Sequence, residues 1–256
     1  MRPLMLGTVL SVTVGVTLAV LPMPGGLAQS PTDDGFVSLF NGKDLTGWKI
    51  PAGDNGHWKV VDGVIDYDAK SEAKGSKDLW TEKSYKDFIL KVDWRLKLDP
   101  GMKNRVAVID SDGNPKKDEK GQPITVEIDD VDSGIYLRGT SKAQVNIWLW
   151  PVGSGEVWGY RTDPKMPPEV RRAVTPLKKA DRPRGEWNTF EIALVGEILN
   201  VKLNGEVVIK DARLPGVPKE GPIALQHHGN YNAQKGVWTG SPSLVQFKNI
   251  YIKELK

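Results

Sequence analysis

Period-two alternation of apolar and polar side chains, repeated in segment after segment, is what most limits the folds open to this chain. In Asp87–Leu98, written DFILKVDWRLKL, Leu90, Val92, Trp94 and Leu96 alternate with Lys91, Asp93, Arg95 and Lys97. Successive side chains of a strand point to opposite faces, so the first set can bury while the second meets water or a cleft. The pattern returns at Phe190, Ile192 and Leu194, and Val245, Phe247, Ile250 and Ile252 are the apolar positions of a final strand. Tight-turn pairs separate the segments: Asp62-Gly63, Gly196-Glu197 and Asn204-Gly205. No helical repeat lasts three turns, and one helical turn is expected around Pro168–Ala173. Many short alternating segments with turns between them predict an all-β fold, a two-sheet antiparallel β-sandwich.

The N-terminal stretch stands outside that pattern. Arg2 is the one charge before Asp33, Leu4–Leu21 is mostly apolar, and Gly26-Leu27-Ala28 is a small-residue exit. A cleaved signal peptide over residues 1–28 is expected, then a flexible leader over 29–35 and one domain over 36–256. No stable membrane anchor is expected after cleavage, and the protein is read as exported, to the periplasm or beyond. Cleavage loses Arg2 and no acid, so the 35 basic residues become 34 against 32 acidic. That near-balance gives nucleic acid no electrostatic footing. With no Cys, stability must come from the core rather than from disulfides.

A sugar-facing wall is expected at Ser133–Trp150, SGIYLRGTSKAQVNIWLW, read as two strands joined by a turn at Gly139–Lys142. Gln144, Asn146 and Trp148 share one face and Val145, Ile147 and Leu149 the other. Tyr136 and Arg138 share a face of the first strand. Carboxamides and an indole suit a carbohydrate, since indole stacks on sugar rings and amides bond hydroxyls. In GEVWGY, Glu156, Trp158 and Tyr160 would share one side if extended, and Glu156 is either solvated or part of the site.

Nucleophilic and zinc chemistry find no motif here: no GxSxG, no HExxH and no phosphate loop. Asp110-x-Asp112-Gly-Asn114 lacks the acidic twelfth residue of a calcium loop, which is Gly121 here, so it reads as a hairpin tip between VAVID and ITVEI. Asp129, Asp130 and Asp132 are either a cation site or, as three acids on a loop more often are, a solvated turn. No metal or cofactor is expected. In ALQHHG, Gln226 and His228 share a face if the strand persists, and His228 is either a general acid or base or a strand-end cap. Asp93, between Lys91 and Arg95, is either a rung of a charge ladder or a cleft carboxylate.

FVSLFNGKDLTGWK, DGVI, LWTEKSYKDFILKVDWRL, SGIYLRG, PRGEWNTFEIALVGEILNVKLNGEVV, GPIALQHHG and VQFKNIYIKEL run in this order from Phe36 to Leu255. Together they resemble the 3-keto-disaccharide hydrolases, long catalogued as a domain of unknown function. The resemblance implies a concanavalin-like jelly roll in exported bacterial proteins that act on glycosides with a ketone at carbon 3. It implies base-assisted elimination followed by hydration, which is net hydrolysis. Carried over, His228 or Asp93 is the base, Arg138 the enolate or hydroxyl donor, and Trp158 or Trp148 the stacking group. Similar sequences read Glu-Val-Gln-Ile where this one has Gln144-Val145-Asn146-Ile147. The loss of that carboxylate keeps a non-catalytic carbohydrate-binding module, or a purely structural surface module, open as alternatives.

Overall fold

The computed structural model describes residues 34–256; the expected signal peptide, and the leader up to residue 33, lie outside the described residues. The first half contributes β1 (Val37–Ser38), β2 (Trp48–Lys49), β3 (Lys59–Val61), β4 (Val64–Tyr67) and β5 (Leu79–Tyr85). It continues with β6 (Phe88–Leu96), β7 (Met102–Ala107), β8 (Thr125–Asp130), β9 (Asp132–Leu137) and β10 (Thr140–Trp148). Two short helices follow, α1 (Trp158–Arg161) and α2 (Pro168–Ala173). The last strands are β11 (Asn188–Val195), β12 (Ile198–Leu203), β13 (Glu206–Arg213), β14 (Gly221–Leu225), β15 (Asn230–Asn232), β16 (Val237–Thr239) and β17 (Val245–Glu254).

One sheet has eight strands in the order β13-β12-β11-β6-β17-β4-β3, with β1 added on β17. A second has five, β10-β9-β14-β5-β2, and β7-β8 and β15-β16 form separate two-stranded ribbons. Strand β17 therefore pairs with early strands, as expected of a sandwich whose ends meet. Alternation decides the packing. Leu90, Val92 and Trp94 of β6, with Ile135, Leu137, Val145 and Ile147 of β9 and β10, enter one contiguous buried cluster. Each such side chain contributes about 1.5–3 kcal/mol, which offsets the entropy of ordering the chain. Asp62-Gly63 (φ 51° and 76°) and Asn204-Gly205 (φ 55° and 85°) adopt the left-handed pair that a two-residue hairpin needs. No helix among the described residues is long and apolar enough to cross a membrane.

The β9–β10 connection is tighter than expected, and it moves Arg138. Strand β9 ends at Leu137, which pairs with Thr140. Arg138 and Gly139 form the whole loop, with φ of 49° and 75°. Leaving the extended conformation takes Arg138 out of the alternation that placed it beside Tyr136. Its side chain is 2% exposed. Nε donates to Lys86 O at 2.5 Å, Nη1 to Gly196 O at 2.5 Å and Pro218 O at 3.2 Å, and Nη2 to Asp87 Oδ1 at 2.8 Å and Leu194 O at 3.2 Å. The expected enolate donor is thus a clamp at one end of the sandwich. Its planar fork is saturated by four carbonyls and a carboxylate.

A second cross-sheet bond lies between the Tyr67 hydroxyl, on β4, and His227 Nδ1, just beyond β14, at 2.6 Å. Burial first, then Lys77 and His228, push the His227 pKa down to about 4, so the ring is neutral and accepts from the phenol.

Arg138→Ala should cost about 3–5 kcal/mol of stability in urea melts, because it strands buried acceptors and Asp87. Arg138→Lys should lose most of the same, since an ammonium cannot reproduce the fork. A catalytic role would instead lower the rate of a variant that melts normally.

Candidate functional site

On the outward face of the five-stranded sheet lies a cavity of about 540 Å³. The alternation that buries Val145 and Ile147 turns Gln144, Asn146 and Trp148 into it. Strand pairing sets their neighbours: Tyr136 opposite Gln144, Gly134 opposite Asn146, and Asp132 opposite Trp148. Gly134 is needed for space, because a Cβ there would stand 2.5 Å from Gln144 Nε2. Across that gap the Gln144 amide donates to Gln226 Oε1 at 2.6 Å and Ser133 O at 3.3 Å. Asn146 is 2% exposed, its backbone pairs with Gly155 and Glu156, and its carboxamide bonds no described residue.

An aromatic wall closes one end. Trp148 and Trp150 stack with centroids 4.6 Å apart and planes at 9°, and Trp148 Nε1 donates to Gly153 O at 2.7 Å. Trp158, on α1, stands half exposed at the rim. Helix α1 can approach because Gly159 lacks a side chain; a Cβ there would lie 2.6 Å from Lys142 O. The Lys142 ammonium is held by Asp163 Oδ2 at 2.6 Å.

His228 also lines the cavity. Its backbone N–H donates to Ser243 Oγ at 2.7 Å, and its Nδ1 lies 2.6 Å from Ser241 O. A carbonyl only accepts, so Nδ1 carries hydrogen and the lone pair of the neutral ring is on Nε2. Nε2 has no partner among the described residues. Ser241 is anchored in turn, its hydroxyl donating to Asp130 Oδ2 at 2.6 Å, which also accepts from Asn104 Nδ2 at 2.9 Å. Asp132 Oδ1 is enclosed and accepts no hydrogen bond. Burial raises the Asp132 pKa to about 7; a positive charge on the His228 ring acts against that rise and Asp130 adds to it.

Of the residues expected at the site, Gln144, Asn146, Trp148, Trp158, Gln226 and His228 line this cavity. Arg138 does not, for the reason given above. Asp93 is on the outward face of the opposite sheet, its carboxylate accepting from Thr189 Oγ1 at 2.6 Å and Asn249 Nδ2 at 2.7 Å. It is a rung of a polar ladder, because β6 and β9–β10 turn their outer faces in opposite directions. Glu156 is fully buried and pairs with Arg161 Nε. The segment is not extended: Trp158–Arg161 coils into α1 and carries Arg161 back over Glu156. Asp130 and Asp132 do not form a solvated turn; they end β8 and begin β9, and both line the cavity. Asp132 and Tyr136 were within reach of the sequence, since the alternation of Gln144, Asn146 and Trp148 continues onto the paired strand. Lys142 and Trp150 continue the period-two series of Gln144, Asn146 and Trp148 and could have been found the same way, whereas Asn104 and Ser241 arrive from distant segments and had no such signal.

Residues 35–253 match the model of the family described as the 3-keto-alpha-glucoside-1,2-lyase-like domain. The fold is similar to two crystal structures from Parabacteroides distasonis ATCC 8503, each provisionally described as a glycosyl hydrolase. One is 22% identical and covers 90% of this chain and 100% of its own, with a TM-score of 0.53. Another is 22% identical and covers 93% and 95%, with a TM-score of 0.54. At that identity the likeness concerns the fold. No match was found among the curated proteins.

Asp132 should leave a mark on stability. Its ordinary pKa of 3.8 applies to the unfolded chain, against about 7 in the fold. Between those values the folded state keeps a proton that the unfolded state has lost, so stability falls as pH rises through the window and levels off above it. Asp132→Asn removes that slope. The two proteins should melt alike near pH 4, with the variant about 2–6 °C higher at pH 8 by calorimetry.

Proposed function

The chain belongs to the 3-keto-alpha-glucoside-1,2-lyase-like family, and from that premise we propose that it cleaves 3-keto-glycosides by elimination and rehydration, with His228 as the base. The observation that carries this reading is the pinned imidazole. Ser241 O holds Nδ1–H, which leaves the Nε2 lone pair as the basic atom of a cavity walled by Trp148, Trp150 and carboxamides. A ketone at carbon 3 acidifies the proton on carbon 2. His228 removes it, the enolate forms, and the aglycone leaves from carbon 1. Water adds to the resulting enone, carbon 2 is reprotonated, and the net change is hydrolysis.

The other groups have consistent tasks. The stacked Trp148–Trp150 pair and the exposed Trp158 offer flat apolar surface to the ring. Asn146, with its amide uncommitted, takes the role expected of Arg138: a donor to the developing enolate oxygen. Gln144 and Gln226, already bonded to each other, form a rigid floor. Export, carried by the sequence of residues 1–28, is part of the same proposal. A carbohydrate-binding module without catalysis is the competing reading, and the neutral Gln144, where the resemblance implies Glu, is what favours it.

The test is turnover of a panel of 3-keto-glycosides and their unoxidised parents in deuterated water. The keto forms alone should be cleaved, with deuterium entering at carbon 2. His228→Gln, which can still donate to Ser241 O, should lower the rate about 100-fold or more, while Asp93→Asn leaves it unchanged. Binding of the sugars without cleavage would support the module instead. Full activity in His228→Gln would remove His228 from the chemistry.

A further inference from the structure

The alkoxide of a sugar or alkyl alcohol is a poor leaving group from carbon 1 unless its oxygen is protonated as it departs. The reading above supplies a base and leaves that proton without a source. Few groups lining the cavity can donate one. Lys142 is tied to Asp163. Asp130 Oδ2 accepts hydrogen bonds from Asn104 and Ser241, which commits that oxygen as an acceptor, and its Oδ1 is enclosed without a partner. Burial, then Asp78, pushes the Tyr136 hydroxyl well above the usual phenol range, so it holds its proton too tightly. Asp132 remains. Its carboxyl accepts no hydrogen bond from any described residue, Oδ1 is shut away from solvent, and it stands opposite Trp148 in the strand register, at the foot of the aromatic wall.

We propose that Asp132 is the general acid that protonates the departing oxygen, and afterwards the base that activates the incoming water. The inference rests on the reading of His228 as the carbon-2 base. As the C2–H bond breaks, its proton goes to His228 Nε2 and its electron pair forms the enolate. As the C1–O bond breaks, the Asp132 proton goes to the aglycone oxygen, giving a neutral alcohol and a C1–C2 double bond. Nothing is oxidised or reduced. The cavity then holds an imidazolium and a carboxylate where it held two neutral groups, so the attraction between them grows as the reaction proceeds. In rehydration, Asp132 takes a proton from the water whose oxygen bonds carbon 1, and His228 returns its proton to carbon 2. Both residues finish as they began. Burial, which holds the Asp132 carboxyl protonated to about pH 7, serves the same end.

Leaving-group dependence tests this where a loss of activity alone would not. Methyl 3-keto-glucoside needs an acid at the departing oxygen, whereas 4-nitrophenyl 3-keto-glucoside releases a stable 4-nitrophenolate without one. In Asp132→Asn the ratio of kcat/KM for the nitrophenyl over the methyl substrate should rise about 100-fold. His228→Gln should leave the ratio near its wild-type value, since both substrates need the carbon-2 proton removed. An equal loss on both substrates in Asp132→Asn would reduce Asp132 to a structural role and leave His228 standing. Wild type inactive on both would remove the whole scheme. Should Asp132→Asn fail to fold, Asp132→Glu, which keeps the acid but displaces it, should shift the ratio in the same direction; an unchanged ratio there would overturn the assignment.

Discussion

The site depends on a buried guanidinium far from the chemistry. Arg138 leaves the five-stranded sheet at the β9–β10 turn and binds the β5–β6 turn through Lys86 and Asp87, the β11–β12 region through Leu194 and Gly196, and Pro218 ahead of β14. Those contacts set the two sheets against each other at one end. They also fix the hairpin whose outer face is the cavity floor. A buried charge persists only when its donors are met, and here the delocalised fork meets carbonyls that would otherwise end strands unpaired. Gly221 allows that approach, since a Cβ there would fall 2.4 Å from the Arg138 carbonyl.

The cavity adds a polar order of its own. Asp130 holds Ser241, Ser241 holds His228, and each bond is between a committed donor and a committed acceptor. The ring beside it, His227, is spent on Tyr67 and the join between sheets. Two adjacent histidines thus divide their work beyond the end of β14: His227 is half-buried, neutral and bonded to Tyr67, and His228 lines the cavity. Asp132 differs from Asp130, two residues away, by having no donor at all. Oδ2 of Asp130 is fixed as an acceptor, whereas neither oxygen of Asp132 is.

Much of the fold was legible. Alternation in β6, β10, β11 and β17 identified the buried faces, and Asp62-Gly63 and Asn204-Gly205 marked their hairpins, because period and turn chemistry are local properties of the backbone. Six expected site residues meet in the cavity. The failures share a cause. Arg138 and Glu156 were placed by extending a strand past its end, where one left-handed residue or one helical turn reverses the direction of a side chain. Asp93 was placed by analogy on the right kind of face of the wrong sheet.

By itself, the sequence determined that this chain would be an antiparallel sandwich, that Gln144, Asn146 and Trp148 would share an outward face, and that its segments match one family. Those conclusions need only near neighbours along the chain. Tertiary structure alone decided which of the two outward faces became the cavity, that Asp132 would sit in it without a donor, and that Ser241 would pin His228. Those outcomes come from residues more than ten positions apart brought together by sheet packing. Burial and hydrogen bonding, which set the charge and direction of each group, exist only after that packing is complete.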